Sequence, residues 1–214
     1  MTSANRGSAA PHVVVASDTD QAGELAADAF AEVLTRARDE ARDAVFGFAT
    51  GSTPLPVYAA LARRHLDFSQ AWGFTLDEYV GLPAQHPELY EAVIEREVIG
   101  PLGFARERMR YPGGVGHVSP RPEHRAALDA DCLDFEANVD RLGGIDLQLL
   151  GIGANGHVAF NEPGSPFDSR TRVVELTDRT RRDNARFFPS LNEVPTHAVT
   201  QGLGTIARAR ILVM

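Results

Sequence analysis

The 214-residue chain contains no lysine; all 21 of its basic residues are arginine. That excludes a Schiff base with pyridoxal phosphate or with a carbonyl substrate, and it excludes a phosphate loop of the Walker type. Cysteine is nearly absent as well. Cys132 stands alone, so no intrachain disulfide can form, and a reducing, cytoplasmic setting is expected. No apolar run approaches membrane-spanning length, and Met1 to Pro11 lacks the apolar segment of a signal peptide. Excess positive charge is missing too. A net charge of −8 argues against a nucleic-acid or anionic-membrane partner, though not against a small anion held by a few arginines and backbone N–H groups. The histidines are scattered, with no H-E-x-x-H, so neither a metal nor another cofactor is expected.

What is present reads as alternating strands and helices. Residues 1–11 form a small, polar, disordered-looking tail, and 12–214 read as one α/β domain. His12 to Ala16 is a short strand candidate, and Asp18 with Gln21 resembles a capping box opening a helix to about Ala41. Ala44 to Ala49 is a second strand, followed by the turn Thr50-Gly51-Ser52-Thr53 and a helix over Leu55–His65, with Pro54 at its start. Trp72 to Leu76 is a third strand ending at Asp77-Glu78. Pro87–Ile99 and Ala126–Leu142 are helical, with a loop-rich stretch between them. A strand from Asp146 to Leu150, another over Arg172–Leu176, a helix over Asp178–Phe188 and a strand over Ala209–Val213 complete the chain. This order predicts a modified Rossmann-like fold: a doubly wound, largely parallel sheet with helices on both faces. The closing run Ile211-Leu212-Val213-Met214 has nothing after it to cover it, which suggests that the domain lacks its C-terminal end.

Three turns, Gly51-Ser52-Thr53, Asp77-Glu78 and the Gly153 to His157 loop, stand at carboxyl ends of strands, where open α/β sheets bind ligands. The first offers N–H groups, two hydroxyls and a helix start to a phosphate, or alternatively only a helix cap. Asp77 is either a base able to take a proton from carbon or a solvated loop acid. His157 gains interest from Glu162, whose carboxylate could reach back across a tight turn to the ring. Gly151, Gly153 and Gly156 fit G-x-G-x-x-G, but Asn161, Pro163, Gly164 and Pro166 follow where a dinucleotide fold needs a helix. The arginines between Arg170 and Arg186 alternate with acids, and spacing alone does not say which meets a phosphate.

With these residues in view, the chain closely resembles the glucosamine-6-phosphate deaminase (isomerase) family. The matching stretches are Phe48 to Pro54, Thr75 to Leu82, Gly151 to Pro163, Ser169 to Arg172, Asn184 to Phe188 and Thr200 to Thr205. The resemblance implies a cytoplasmic enzyme of amino-sugar catabolism that converts glucosamine 6-phosphate and water to fructose 6-phosphate and ammonia. It implies catalytic roles for Asp77, which would move the C2 proton to C1, and for His157, which would move a proton during ring opening with Asn155 and Glu162 tuning it. It further implies phosphate contacts from Gly51, Ser52, Thr53 and Arg186, a mobile lid over about Leu176–Val199, and possible homo-oligomers.

Three departures are visible. Position 155 is Asn where some members have Asp. Arg172 matches an arginine of the family's effector site for N-acetylglucosamine 6-phosphate, but Val174 stands where its lysine would be, against that activation. The family's phosphate-binding lysine turn, beyond Val213, has no counterpart here. A truncated, inactive sugar-phosphate-binding fragment is therefore one alternative. A second is a 6-phosphogluconolactonase-like hydrolase, against which Glu162 in Phe-Asn-Glu-Pro argues. A sugar-phosphate sensor is a third, and it would not need Asp77, His157 and Glu162 together.

Overall fold

The computed structural model describes residues 11–113 and 122–214. In chain order the elements are α1 (Thr19–Asp39), β1 (Val45–Phe48), α2 (Leu55–Arg63), β2 (Trp72–Thr75) and β3 (Asp77–Val80). Then come α3 (Tyr90–Ile94), a π-helical turn (Glu95–Ile99), α4 (Gly100–Leu102), β4 (Met109–Arg110) and α5 (Pro122–Arg141). The remainder comprises β5 (Leu147–Leu149), β6 (Arg172–Glu175), α6 (Asp178–Asn184), β7 (His197–Thr200), α7 (Leu203–Ile206) and β8 (Ile211–Val213).

Among the described residues the strands form two sheets. The larger has the order β4-β2-β1-β5-β8, with every neighbouring pair parallel. Side chains alternate across it, as a period of two requires. Phe46, Phe48, Leu147 and Leu149 pack with Phe30 and Val33 of α1 and Leu61 of α2. Val45 and Phe74 face the other way, onto Phe135 and Val139 of α5. The sheet is thus covered on both faces, the α/β arrangement the sequence predicts. The capping signal at Asp18 is real: its carboxylate accepts from Gln21 N–H at 2.8 Å, while the Gln21 side chain accepts from Ser17 N–H at 2.6 Å.

The smaller sheet, order β3-β7-β6, is antiparallel and corrects two expectations. Asp77-Glu78 is not a turn; after one residue, Leu76, the chain re-enters an extended strand, with Asp77 opposite Thr200. His197–Thr200, which carries no strand signal of useful length, is the strand that Asp77–Val80 pairs with. β4 was likewise hidden in the stretch expected to be loop. A further correction concerns His12–Ala16, which forms no strand. Val13, Val14 and Val15 are exposed, and among the described residues no strand pairs with them. The expected N-terminal tail, apart from Pro11, lies outside the described residues.

The helix expected to begin at Pro87 begins at Tyr90. The reason is Glu78, whose carboxylate accepts from the N–H groups of Tyr90 at 2.9 Å and Glu91 at 2.8 Å. These are two of the unpaired donors that every helix start presents. One buried acid thus fixes where α3 starts and ties it to β3.

Candidate active site

Carboxyl ends of β1 and β5, the start of β3 and the segment after α6 enclose one cavity of about 380 Å³. Of the residues singled out in the sequence, Gly51, Ser52, Thr53, Asp77, His157 and Arg186 line it. Asn155 and Glu162 do not; they stand behind His157.

At the end of β1 the chain turns through Gly51, whose φ of +90° suits glycine, and enters α2. No side chain caps that helix. Ser52 and Thr53 are exposed, and the N–H groups of Gly51, Ser52 and Thr53 donate to nothing among the described residues. The helix-cap alternative for these hydroxyls therefore falls. Three free N–H groups and two hydroxyls at the start of a nine-residue helix form an anion cradle.

Asp77 is buried, with 6% of its surface exposed. Burial, reinforced by the adjacent Glu78 carboxylate, holds its carboxyl well above the usual range. Burial also pushes Glu78 up, to about 7, although the N–H groups of Tyr90, Glu91 and Tyr79 stabilise its charged form. The two acids divide their work. Glu78 is spent on backbone donors, whereas Asp77 faces the cavity with a raised proton affinity.

The loop after β5 holds His157 by close contact. A Cβ on Gly153 would lie 2.2 Å from the imidazole ring, so only glycine lets the ring lie there. Gly156, at φ +89°, folds the loop back so that Gly153 N–H reaches the His157 carbonyl at 2.8 Å. No helix starts at Gly156, which removes the geometry a dinucleotide pyrophosphate needs.

The expected direct contact between Glu162 and the imidazole is corrected by the structure. Asn155 stands between them. Glu162 Oε2 accepts from Asn155 Nδ2 at 2.6 Å, and Asn155 Oδ1 lies 2.7 Å from His157 Nδ1. Glu162 is drawn away from the ring by α6: its Oε1 accepts from the hydroxyls of Thr177 at 2.9 Å and of Thr180. Despite burial, these donors, together with Asn155 and His157, lower the Glu162 pKa. The relay also fixes a tautomer. The ionised Glu162 can only accept, so Asn155 must turn its amide NH2 to it and its carbonyl to the ring. In the neutral imidazole, Nδ1 of His157 then carries the proton and Nε2 the lone pair.

Thr177 and Thr180 were not foreseen as site residues, although Thr177 is the N-cap of α6, accepting from Thr180 N–H. Asn184, at the other end of α6, donates to the Tyr79 hydroxyl at 3.0 Å. Tyr79, Tyr90, Phe160 and Phe188 form an aromatic wall. Arg186 lies just beyond, exposed, its guanidinium 4.7 Å from the Phe187 ring centre. Among the described residues no three His, Cys, Asp or Glu side chains converge as metal ligands, and no helix is long and apolar enough to cross a membrane.

A buried carboxyl of raised proton affinity, an imidazole of fixed tautomer and an anion cradle around one cavity are the groups needed to move protons between carbon and oxygen atoms of an anionic substrate. Comparison with known proteins agrees with that chemistry. A family described as glucosamine-6-phosphate isomerases/6-phosphogluconolactonase matches residues 17–214. A glucosamine-6-phosphate deaminase of Pseudarthrobacter chlorophenolicus is 51% identical over 205 residues, covering 94% of this chain and 74% of that protein. One from Mycolicibacterium smegmatis is 49% identical with the same coverage. Among solved structures, a monomeric glucosamine-6-phosphate deaminase superposes with a TM-score of 0.81 at 37% identity, covering 91% of this chain and 77% of that one. A 6-phosphogluconolactonase from Trypanosoma brucei, at 20% identity and TM-score 0.69 over 95% of this chain and 80% of that one, shares the fold. With nearly its whole length matched and half its residues identical to such relatives, this chain belongs to the glucosamine-6-phosphate isomerase family.

Proposed function

We propose that the protein converts glucosamine 6-phosphate and water to fructose 6-phosphate and ammonia, as a cytoplasmic step of amino-sugar breakdown. The observation that carries this reading is Asp77: a buried carboxylate of raised proton affinity, opening on the same cavity as His157 and the Gly51–Thr53 cradle. In the reaction, His157 moves a proton between the ring oxygen and O1 as the pyranose opens, using Nε2 while Nδ1 stays bonded to Asn155. Asp77 takes the proton from C2. The electrons of that C–H bond form a C1=C2 double bond while those of the C1=O π bond move to O1, which takes a proton, giving an enolamine. Returning the proton to C1 yields an imine at C2, which water hydrolyses to the ketone with loss of ammonia. Gly51, Ser52, Thr53 and Arg186 hold the phosphate.

An acid that must be strong enough as a base to attack a C–H bond gains from burial, which penalises its charged form. The His157–Asn155–Glu162 relay has no comparable use in a site that only binds a sugar phosphate.

The test is ammonia release from glucosamine 6-phosphate by the purified protein and by Asp77→Asn. Release that falls by about 10³-fold or more in the variant, a typical loss for a general base, supports the reading. Silence towards glucosamine 6-phosphate with hydrolysis of 6-phosphogluconolactone would replace it by the lactonase reading.

A further inference from the structure

The cavity is poor in positive charge for a site that takes a phosphate dianion. Among the described residues its lining holds two arginines, Arg96 and Arg186, against Asp77, Glu88, Glu97 and Asp183. Arg186 was singled out from the sequence. Arg96 was not; it lines the same cavity from the π-helical turn Glu95–Ile99, which packs against α2, the helix that follows the Gly51–Thr53 cradle. Its Nε donates to Glu97 Oε1 at 2.8 Å. The pair is accessible: 57% of the Arg96 side chain and 31% of Glu97 are exposed. Glu97 lines the same cavity as Gly51, Ser52 and Thr53.

We infer that Arg96 is a second phosphate-binding arginine, paired with Glu97 and drawn to the 6-phosphate when substrate binds. This rests on the reading of the cavity as a sugar-phosphate site. The charges argue for the transfer. A partly exposed pair between sequence neighbours is worth little, so Arg96 gives up little by leaving Glu97. A phosphate dianion offers the guanidinium a doubly charged, bidentate partner. The π turn fits such a role, since single π turns within helices recur at functional sites. In this chain Val93, Arg96 and Glu97 all reach the cavity, while Ile94, Val98 and Ile99 stay in the core.

The two partners therefore have opposite signs, which a structural ion pair would not give. Replacing Arg96 removes a phosphate ligand, whereas replacing Glu97 frees that ligand. The experiment measures binding of inorganic phosphate by calorimetry, together with KM and kcat for glucosamine 6-phosphate, in wild type, Arg96→Gln, Glu97→Gln and the double variant. The expected result is phosphate binding and KM weakened by about tenfold in Arg96→Gln, the scale of one charge-assisted contact, with kcat within a factor of about two. Glu97→Gln should tighten both, and the double variant should lose that gain. Unchanged phosphate affinity in Arg96→Gln, or weakening by Glu97→Gln of the same size as by Arg96→Gln, would overturn the inference. Because phosphate binding is read without turnover, a protein that binds phosphate through Arg96 yet releases no ammonia would refute the deaminase reading and leave this one intact.

Discussion

Gly153 is a glycine because an imidazole ring occupies the space its side chain would need, and the rest of the relay follows from that contact. The ring lies flat on the loop, Asn155 holds Nδ1, and Glu162 orients Asn155. Gly153→Ala should therefore keep the fold and spoil the site. The methyl group would displace the ring, and a misplacement of about 1 Å costs on the order of 10²-fold in rate. Steady-state kinetics with a thermal melt checks it: kcat down by about that factor with an unchanged melting temperature is expected, whereas a wild-type rate would mean that the ring's position is not set by this contact. The residues of this relay were legible in the sequence, because a strand ending in Gly-x-Gly-x-x-Gly-His with Phe-Asn-Glu-Pro after it is a rare pattern. Their wiring was not. Nothing in the spacing said that Asn155 would stand between His157 and Glu162, since that depends on Thr177 and Thr180, reached through the intervening loop and β6, drawing the carboxylate towards α6.

Strand β3 carries two acids with different duties, and its partnership with α3 makes a pH-dependent prediction. Glu78 accepts from three backbone N–H groups yet titrates near 7 because it is buried. A carboxyl whose folded pKa lies above its unfolded value favours the fold while it keeps its proton. That contribution is complete below the unfolded value of about 4.3 and is lost as pH rises through about 7. Between about pH 5 and pH 8 the wild type should thus lose melting temperature relative to Glu78→Gln, whose amide does not ionise. The same substitution removes a negative neighbour that raises Asp77, so the acidic limb of kcat/KM should move to lower pH. A melting-temperature difference that stays flat with pH, or an acidic limb that moves upward, would show that Glu78 does not titrate as described. The strand itself was the part of the fold least visible in the sequence. Trp72 to Leu76 and Asp77 to Val80 form one nearly continuous extended run. Only the distant partner strand His197–Thr200 assigns the second half to a different sheet.

The parallel sheet and the antiparallel one meet at Leu76, and buried polar groups hold the junction. Gln201 N–H donates to the Leu76 carbonyl at 2.7 Å, and the Asn161 amide donates to the Gln201 carbonyl at 2.8 Å. On the far side Glu136 of α5 gathers the Thr171 N–H at 2.9 Å, the Thr171 and Thr205 hydroxyls, and the guanidinium groups of Arg170 and Arg208. These partners outweigh its burial and lower its pKa. The stability it contributes is therefore present above the unfolded pKa and lost as pH falls through the folded one. Glu136→Ala strands several donors, and urea unfolding at neutral pH should show a loss of about 2–4 kcal/mol. A loss below about 0.5 kcal/mol, the size of an ordinary surface change, would mean that the cluster is decorative. The alternation of strands and helices, and hence the doubly wound sheet, could be read from hydrophobic patterning, because each such element buries a periodic face. The antiparallel sheet could be read only in part: β6 follows the strand expected over Arg172–Leu176, whereas β3 and β7 are defined by pairing with partners remote in sequence.

Both sheets converge on a cavity lined by Asp77, the group that, in the proposed reaction, carries one proton from C2 to C1. Glucosamine 6-phosphate deuterated at C2 should therefore yield some fructose 6-phosphate with deuterium at C1 when the reaction runs in ordinary water, the remainder being lost by exchange from the carboxyl group. Asp77→Asn should give neither the labelled product nor ammonia. Product that never carries the label at C1, together with ammonia release that survives in Asp77→Asn, would contradict the assignment of Asp77 as the base.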